Sequence, residues 1–212
     1  MTVDEFITQF DIYYNNIASN AAPSIDNYEK SVFLTKAQLD IVIELYNGRG
    51  IPGLSFESTE EARLYLRNLT SVYTFTEDFD NISLPKDLMF ITFEEVKFKS
   101  EDSCIANTRP RVVPIRQDYI HSTLNNPFRG PSKNRVLRSD DESTVKLYSL
   151  YPLESYKIHY LRFPQPIILE DLYELTIDGK SEMTECELDP VLHKAILDRA
   201  VLLAKVAYIG KE

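Results

Sequence analysis

The chain has 212 residues, a formal net charge of -10 and 43% hydrophobic residues. A chain of this length can bury a sizeable core without disulfides or a structural metal, and Cys104 and Cys186 follow no pairing or metal-binding pattern, which predicts free thiols in a reducing compartment. The N-terminal MTVDEFITQF lacks the parts of a signal peptide, and no run of about 18 uncharged apolar residues predicts a membrane span.

The first predicted element is an amphipathic helix over residues 3–18. Phe6, Phe10 and either Tyr13 or Tyr14 recur at helical spacing and would form its apolar face.

A second helix is predicted over 35–47, because apolar residues recur there at i, i+3, i+4 and i+7. Thr35 and Gln38 have the spacing of a capping box at its start. Gly48 would end it in the left-handed conformation that commonly closes a helix.

Residues 48–53 read G-R-G-I-P-G and match G-x-G-x-x-G, the loop that binds phosphates in many nucleotide enzymes. That motif needs a strand before it and a helix N-terminus directly after it. Here a helix precedes the glycines, Pro52 removes an amide, and the next helix, 59–69, has its capping box at Ser58. The motif therefore predicts a flexible connection between two helices, and this corner, which carries Arg49, is a candidate contact for a neighbouring subunit.

Strands are predicted next, because the periodicity changes and aromatic and β-branched residues accumulate. A slip or bulge is expected at Glu94-Glu95, and Tyr156, Ile158 and Tyr160 alternate with polar residues as in a half-buried antiparallel strand. The predicted strand segments are 71–76, 88–99, 145–151, 155–163 and 166–179.

A basic segment, residues 109–138, lies between the predicted strands. It contains seven basic residues and one acidic residue, whereas the rest of the chain has a net charge of -16. Four prolines favour an extended path, so we predict an arm or loop over 105–142. The basic residues, which we predict to contact a neighbouring subunit or a docking partner, are Arg109, Arg111, Arg116, Arg129, Lys133, Arg135 and Arg138.

Three interpretations of this segment are open: it binds nucleic acid, it lies on the acidic surface of another copy, or it is an ordinary solvated loop. Repulsion between the acidic remainder of the chain and a phosphate backbone favours protein contact over nucleic acid.

The last predicted helix runs from Pro190 to Tyr208, after the cap Asp189. Thirteen of its 19 residues are apolar, and its polar positions form one narrow stripe. Such a helix must be covered on most sides, either within one fold or by another subunit. We predict that Leu192, Ile196 and Leu203 contribute to subunit contact.

No catalytic constellation is evident in the sequence. Cys186, Glu187, Asp189 and His193 lie within eight residues and are possible metal ligands, but their spacing matches no specific metal motif. Adjacent carboxylates point apart within a regular element, and no nucleophile, base and orienting group assemble. We therefore predict neither a cofactor nor a metal, and no enzymatic activity.

The order of elements predicts an α+β fold in a single domain, 1–212. Helices come first, followed by a central antiparallel β block with the extended basic arm, and then one long C-terminal helix.

Three parts of the sequence resemble one known protein family. They are EKSVFLTKAQLDIVIELYNG (29–48), NPFRGP (126–131) and the C-terminal region, above all YLRFP (160–164) and CELDPVLH (186–193). These segments resemble a family of structural proteins from crAss-like tailed phages that infect Bacteroidetes. In that family the pattern belongs to a ring protein of the head-to-tail connector.

The resemblance implies a cyclic homo-oligomer, a dodecamer, that docks below the portal and contacts adjacent ring and tail proteins. It implies a channel that passes double-stranded DNA without reading its sequence, a place in the neck or tail of the virion, assembly in the host cytoplasm, and no membrane partner. The alternative from the residues themselves is a nucleic-acid-binding or packaging protein that acts through segment 109–138.

Overall fold

A computed structural model describes residues 1–17, 24–48, 60–141 and 144–209, which belong to two compact units. Unit 1 comprises Met1–Leu69 and Phe163–Glu212, and unit 2 comprises Thr70–Arg162. Unit 1 contains the three longest helices and unit 2 contains the sheets, which confirms the predicted α+β class.

The helices are α1 (Val3–Ile17), α2 (Asn27–Asn47), α3 (Glu60–Tyr65), α4 (Ser103–Ala106), α5 (Ile120–Leu124) and α6 (Pro190–Ile209). The strands are β1 (Thr70–Phe75), β2 (Ile82–Ser83), β3 (Leu88–Phe98), β4 (Arg111–Ile115), β5 (Arg135–Asp141), β6 (Thr144–Tyr148) and β7 (Leu153–Arg162).

In unit 1, α6 packs against both α1 and α2. From α1, Phe6, Phe10 and Tyr14 are buried, so Tyr14 rather than Tyr13 completes the apolar face. α6 begins at Pro190 as predicted and buries a continuous set of apolar side chains, including Leu197. Burial of side chains of this size stabilises a fold by about 1.5–3 kcal/mol each, so this helical layer is the core of unit 1.

The start of α2 differs from the prediction. The helix begins at Asn27, eight residues before Thr35, and its capping box is formed by Asp26 and Glu29. The hydroxyl of Thr35 instead accepts a hydrogen bond from the amide of Ile167 at 3.1 Å, and Nε2 of Gln38 donates to the carbonyl of Gln165 at 2.7 Å. The predicted capping pair therefore makes tertiary contacts within unit 1.

The end of α2 is as predicted. Gly48 has φ 67° and donates its amide to the carbonyl of Glu44, which is a left-handed C-cap. Residues 49–53 of the glycine motif and the predicted capping box at Ser58 lie outside the described residues.

Unit 2 contains two sheets that share one core. One sheet is three-stranded and antiparallel in the order β1-β7-β3, and the other is four-stranded in the order β2-β6-β5-β4. Tyr156 and Ile158 of the first sheet and Val136 and Val145 of the second are buried in the same cluster. Tyr160 is also buried, which confirms the alternation predicted for β7.

The predicted bulge at Glu94-Glu95 is wrong. β3 pairs regularly with β7 from Phe93 to Lys97, and its irregularities lie between Leu88 and Phe93 and between Lys97 and Phe98. Because the strand stays regular, Glu94 points to the buried face, where polar partners compensate its charge.

The basic segment contributes regular structure to unit 2. β4 and β5 lie in 105–142 and pair in parallel, whereas an antiparallel block was predicted. The chain between them contains α5 and crosses back to the end of the sheet at which β4 begins, as a parallel pair requires. The predicted strand 166–179 is instead irregular, with isolated bridges from Ile168 to Thr184 and from Ile177 to Lys180.

Candidate subunit interfaces

Five of the seven predicted basic contact residues are exposed on unit 2. These are Arg109, Arg111, Arg116, Arg129 and Lys133. Local contacts set the positions of two of them: Arg109 lies 3.1 Å from Glu95, and Arg116 lies 3.3 Å from Asp118. Exposed ion pairs of this kind contribute little to stability, so these cations are available for contact with other molecules.

Arg135 and Arg138 hold unit 2 together instead. Arg135, at the start of β5, donates from Nη1 to the carbonyl of Phe128 at 2.8 Å. Arg138 lies with Nη1 2.7 Å from Glu94 and donates from Nη2 to Asp140 at 3.1 Å, and its side chain is only 11% exposed. Both guanidinium groups therefore have structural roles within the unit.

Glu94 is the centre of this buried network. It accepts a hydrogen bond of 2.5 Å from the hydroxyl of Tyr156, in addition to its ion pair with Arg138. Burial lowers the pKa of Arg138, but the hydrogen bond and charge of Glu94 outweigh it and raise the pKa. Burial, followed by the charge of Glu94, raises the pKa of Tyr156. Arg138 is charged and Tyr156 is neutral at ordinary pH.

The α6 residues predicted for subunit contact are mostly inside unit 1. Leu192 and Ile196 are buried, and Leu203 is half-buried. The structure thus places two of them in the helical core, where they contact their own chain.

The exposed apolar face of α6 lies at other positions. Val191, Leu202 and Val206 are 64%, 55% and 66% exposed, and at about 100° per residue they lie within about 60° of one another. We call these three residues the α6 stripe. They lie directly beside the polar positions of the helix, such as Asp198. The polar residues that mark the solvent-facing side of the helix in the sequence therefore also mark where this stripe lies.

The possible metal ligands near the start of α6 each have a structural contact. Asp189 accepts from the amide of Val191 at 3.1 Å, Glu187 accepts from the amide of Gln165 at 2.6 Å, and Cys186 donates to Gln38 at 3.3 Å. Burial raises the pKa of Cys186 to about 11, which keeps it a thiol. Among the described residues, no group of three or more histidine, cysteine or acidic side chains could hold a metal ion.

His193 is buried in unit 1. Its Nε2 lies 3.1 Å from the carbonyl of Leu188, its Nδ1 lies 2.6 Å from the amino group of Met1, and its ring contacts Phe6. Burial lowers the pKa of His193; the contact with Leu188 raises it, and the positive amino group lowers it again. The net effect favours the neutral imidazole, as expected for a packed core residue.

Two different surfaces are therefore exposed, one on each unit: a basic surface on unit 2 and an apolar stripe on unit 1. Neither resembles a catalytic site, and both have the residue types that are found in protein contacts. None of the helices in the described parts of the chain is both long and apolar enough to cross a membrane.

These surfaces are typical of a subunit of a larger assembly. Residues 1–211 match the family described as phage tail ring protein 3/4, and the chain belongs to this family. It is similar to "Ring protein 3" of Bacteroides phage crAss001, with 42% identity over 98% of this chain and 96% of the relative. It is also similar to "Ring protein 4/5" of the same phage, with 36% identity over 99% of this chain and 94% of the relative. The chain is thus a structural protein of a phage tail, from a family of ring proteins and not of enzymes.

Proposed function

We propose that this chain is a subunit of a closed homo-oligomeric ring in the head-to-tail connector of a crAss-like phage. The ring docks below the portal, contacts adjacent ring and tail proteins, and forms part of the channel through which DNA leaves the capsid. It is assembled in the host cytoplasm as part of the virion, and it has no enzymatic activity.

The observation that carries this proposal is the presence of two unlike exposed surfaces. A ring closed by rotation uses heterologous contacts, in which one patch of each subunit binds a different patch of the next. The α6 stripe and the basic residues of unit 2, including Arg111 and Lys133, are two such unlike patches, and each would bind a different patch of a neighbouring subunit. A symmetric dimer would instead need one self-complementary patch.

The charge distribution supports a role as channel wall. Residues 1–69 and 163–212 contain 10 basic and 20 acidic residues, whereas residues 70–162 contain 13 of each. The whole net charge thus belongs to unit 1. An acidic wall repels the phosphate backbone and lets a duplex slide. We therefore propose that acidic residues of unit 1 face the passing DNA.

The test is the mass of the assembly, measured by light scattering and negative-stain imaging of the protein alone and mixed with its portal. We expect a ring in at least the mixture. A particle that stays monomeric in both conditions would contradict the proposal.

The exposed cations also leave a nucleic-acid-binding function as a second candidate. Its test is the affinity for duplex DNA as a function of salt, for the wild type and for a variant with Arg111→Gln, Arg129→Gln and Lys133→Gln. These three are chosen because they are exposed, whereas Arg135 and Arg138 support the fold. Tight, salt-dependent binding that this variant loses would favour the second function; weak binding that is equal in both proteins would exclude it.

A further inference from the structure

The segment between β7 and α6, residues 163–189, is acidic and belongs to neither of the two surfaces described above. It contains eight acidic residues and one basic residue. Within it, 168–184 form an irregular hairpin: Ile168 and Thr184 exchange two backbone hydrogen bonds, and the amide of Leu172 donates to Ser181 at 2.7 Å. At its tip, Asp178 and Gly179 both have positive φ, as in the tight turns that join paired strands. We call residues 168–184 the acidic hairpin.

One side of the acidic hairpin anchors it to unit 1. Ile168, Leu172 and Ile177 are buried together and pack against Tyr28 of α2. Asn27 also donates to Glu170 at 2.8 Å. These contacts fix the backbone, so the side chains on its other side are presented from an ordered support.

Apart from these anchoring residues, the acidic hairpin exposes large apolar side chains as well as acidic ones. Tyr173 is 99% exposed, and Leu175 and Met183 are 50% and 55% exposed. Glu174 and Glu182 are exposed as well. A tyrosine that is fully exposed on a fixed backbone loses little conformational entropy on binding, and tyrosine is enriched among the residues that dominate interface energies.

Segment 126–135 of unit 2 is basic, and like the acidic hairpin it presents an exposed aromatic side chain from an ordered turn. Phe128 is 87% exposed, and the turn that bears it is held at both ends: Asn126 accepts from its amide at 2.9 Å and Arg135 donates to its carbonyl at 2.8 Å. Gly130 closes the turn, and a Cβ there would lie 2.8 Å from the carbonyl of Asn126. Arg129 and Lys133 are exposed around this aromatic residue.

We infer that the acidic hairpin of one copy docks on segment 126–135 of the next copy in the ring. Tyr173 supplies the central aromatic contact, and Glu174 and Glu182 pair with Arg129 and Lys133. This inference rests on the proposed ring and assigns one of its subunit contacts.

Opposite charges on the acidic hairpin and on segment 126–135 favour a contact between unlike surfaces of neighbouring copies over a contact between like surfaces. Two acidic hairpins repel each other, as do two basic turns, so a symmetric dimer through either surface is disfavoured. Only a hairpin-to-turn contact is attractive, and repetition of that contact from copy to copy is the head-to-tail arrangement that a ring requires. Double-stranded DNA is a poor occupant for the hairpin because both are negatively charged.

Charge reversal tests the contact in both directions. One variant carries Glu174→Lys and Glu182→Lys, a second carries Arg129→Glu and Lys133→Glu, and a third combines all four changes. We expect each of the first two to associate about tenfold or more weakly than the wild type at low salt, measured by analytical ultracentrifugation. We expect the third variant alone, and an equimolar mixture of the first two, to recover association, because every junction again joins opposite charges.

A control separates this effect from a general effect of charge. Glu101→Lys together with Glu154→Lys changes the net charge by the same amount as the first variant, at exposed acidic positions outside the hairpin. We expect this control to associate like the wild type. If the first and second variants assemble as well as the wild type, the docking inference is overturned, while the proposed ring function still stands.

A cross-link identifies the neighbour directly. With photoreactive p-benzoyl-L-phenylalanine in place of Tyr173, and a mixture of isotope-labelled and unlabelled chains, we expect a cross-link between two copies that maps to 126–135. A cross-link within one chain, or only to a portal or other tail protein, would overturn the inference and leave the ring role standing. A protein that stays monomeric with portal and gives no cross-link would count against both proposals.

Discussion

Glu94, Arg138 and Tyr156 form a buried polar network inside unit 2. Two of the three are ionised, and each depends on the others to compensate for loss of hydration. A network of this kind adds little to the free energy of unfolding when it is compared with an apolar core of the same shape. Removal of one member, however, leaves an unpaired buried charge. Single substitutions in the network should therefore lower the stability of unit 2 more than paired substitutions do.

We predict that Arg138→Met lowers the free energy of unfolding by about 3–5 kcal/mol, because Glu94 loses its buried counter-ion. Urea denaturation measures this. The matched control is Lys133→Met, at an exposed position of the same segment, which should change stability by no more than about 0.5 kcal/mol. Combining Arg138→Met with Glu94→Leu should recover part of the loss; equal effects of Arg138→Met and Lys133→Met would show that the network is not important.

His193 makes the stability of unit 1 depend on pH. Its pKa in the folded protein lies below the ordinary value of 6.5, so the unfolded chain binds a proton more readily. The stability that this histidine contributes is complete above pH 6.5 and is lost as the pH falls through the folded pKa. We predict that the wild type loses more stability between pH 7 and pH 5 than His193→Gln does, as measured by thermal unfolding. Parallel curves for the two proteins would contradict this.

At the scale of elements, the end of α2 depends on one backbone conformation. Gly48 has φ 67°, a conformation that costs a residue with a Cβ roughly 1–2 kcal/mol. We predict that Gly48→Ala destabilises the protein by about 1 kcal/mol. The control is Asn47→Ala, one residue earlier, which is exposed and helical and should not destabilise. Chemical denaturation of the two variants measures the difference; a neutral Gly48→Ala would mean that the cap relaxes.

The elements that the sequence predicted well are those with local causes. The bounds of α1 and α6, the cap at Gly48 and the alternation in β7 follow from side-chain spacing within each segment. The missed features depend on partners far away in the chain. The polar side chains of Thr35 and Gln38 bond to residues about 130 positions later, and the parallel pairing of β4 with β5 is not encoded in either strand alone.

The same distinction between local and distant causes applies to the interfaces. Composition identified the basic segment, because a charge excess is visible without a structure. It could not separate Arg129, which is exposed, from Arg138, whose partner Glu94 comes from a distant strand. On α6 the apolar content is evident from the sequence, but which apolar side faces the core depends on where α1 and α2 pack. Leu192 is therefore predicted to contact another subunit although it is buried in unit 1.

At the scale of the whole molecule, the α6 stripe predicts a variant that assembles poorly while folding normally. Leu202→Glu together with Val206→Glu places two charges on an apolar surface that we propose is covered in the ring. We predict weaker assembly by light scattering and unchanged thermal unfolding of the subunit, because both side chains are already exposed in it. The control is Lys194→Glu, an exposed polar position of the same helix. Normal assembly of the double variant would exclude the stripe from the interface.

The division of the chain has a consequence for synthesis on the ribosome. Unit 2 is one continuous stretch, Thr70–Arg162, whereas unit 1 needs both ends of the chain. Unit 2 can therefore close while α1 and α2 still lack α6, and during that interval side chains that α6 will contact, such as Phe6 and Phe33, stay open to chaperones or to aggregation. We predict that a nascent chain, stalled at the point where residue 165 has just left the ribosomal tunnel, resists proteolysis over 70–162 and is cleaved within 1–48. Equal protection of both regions would contradict this order of folding.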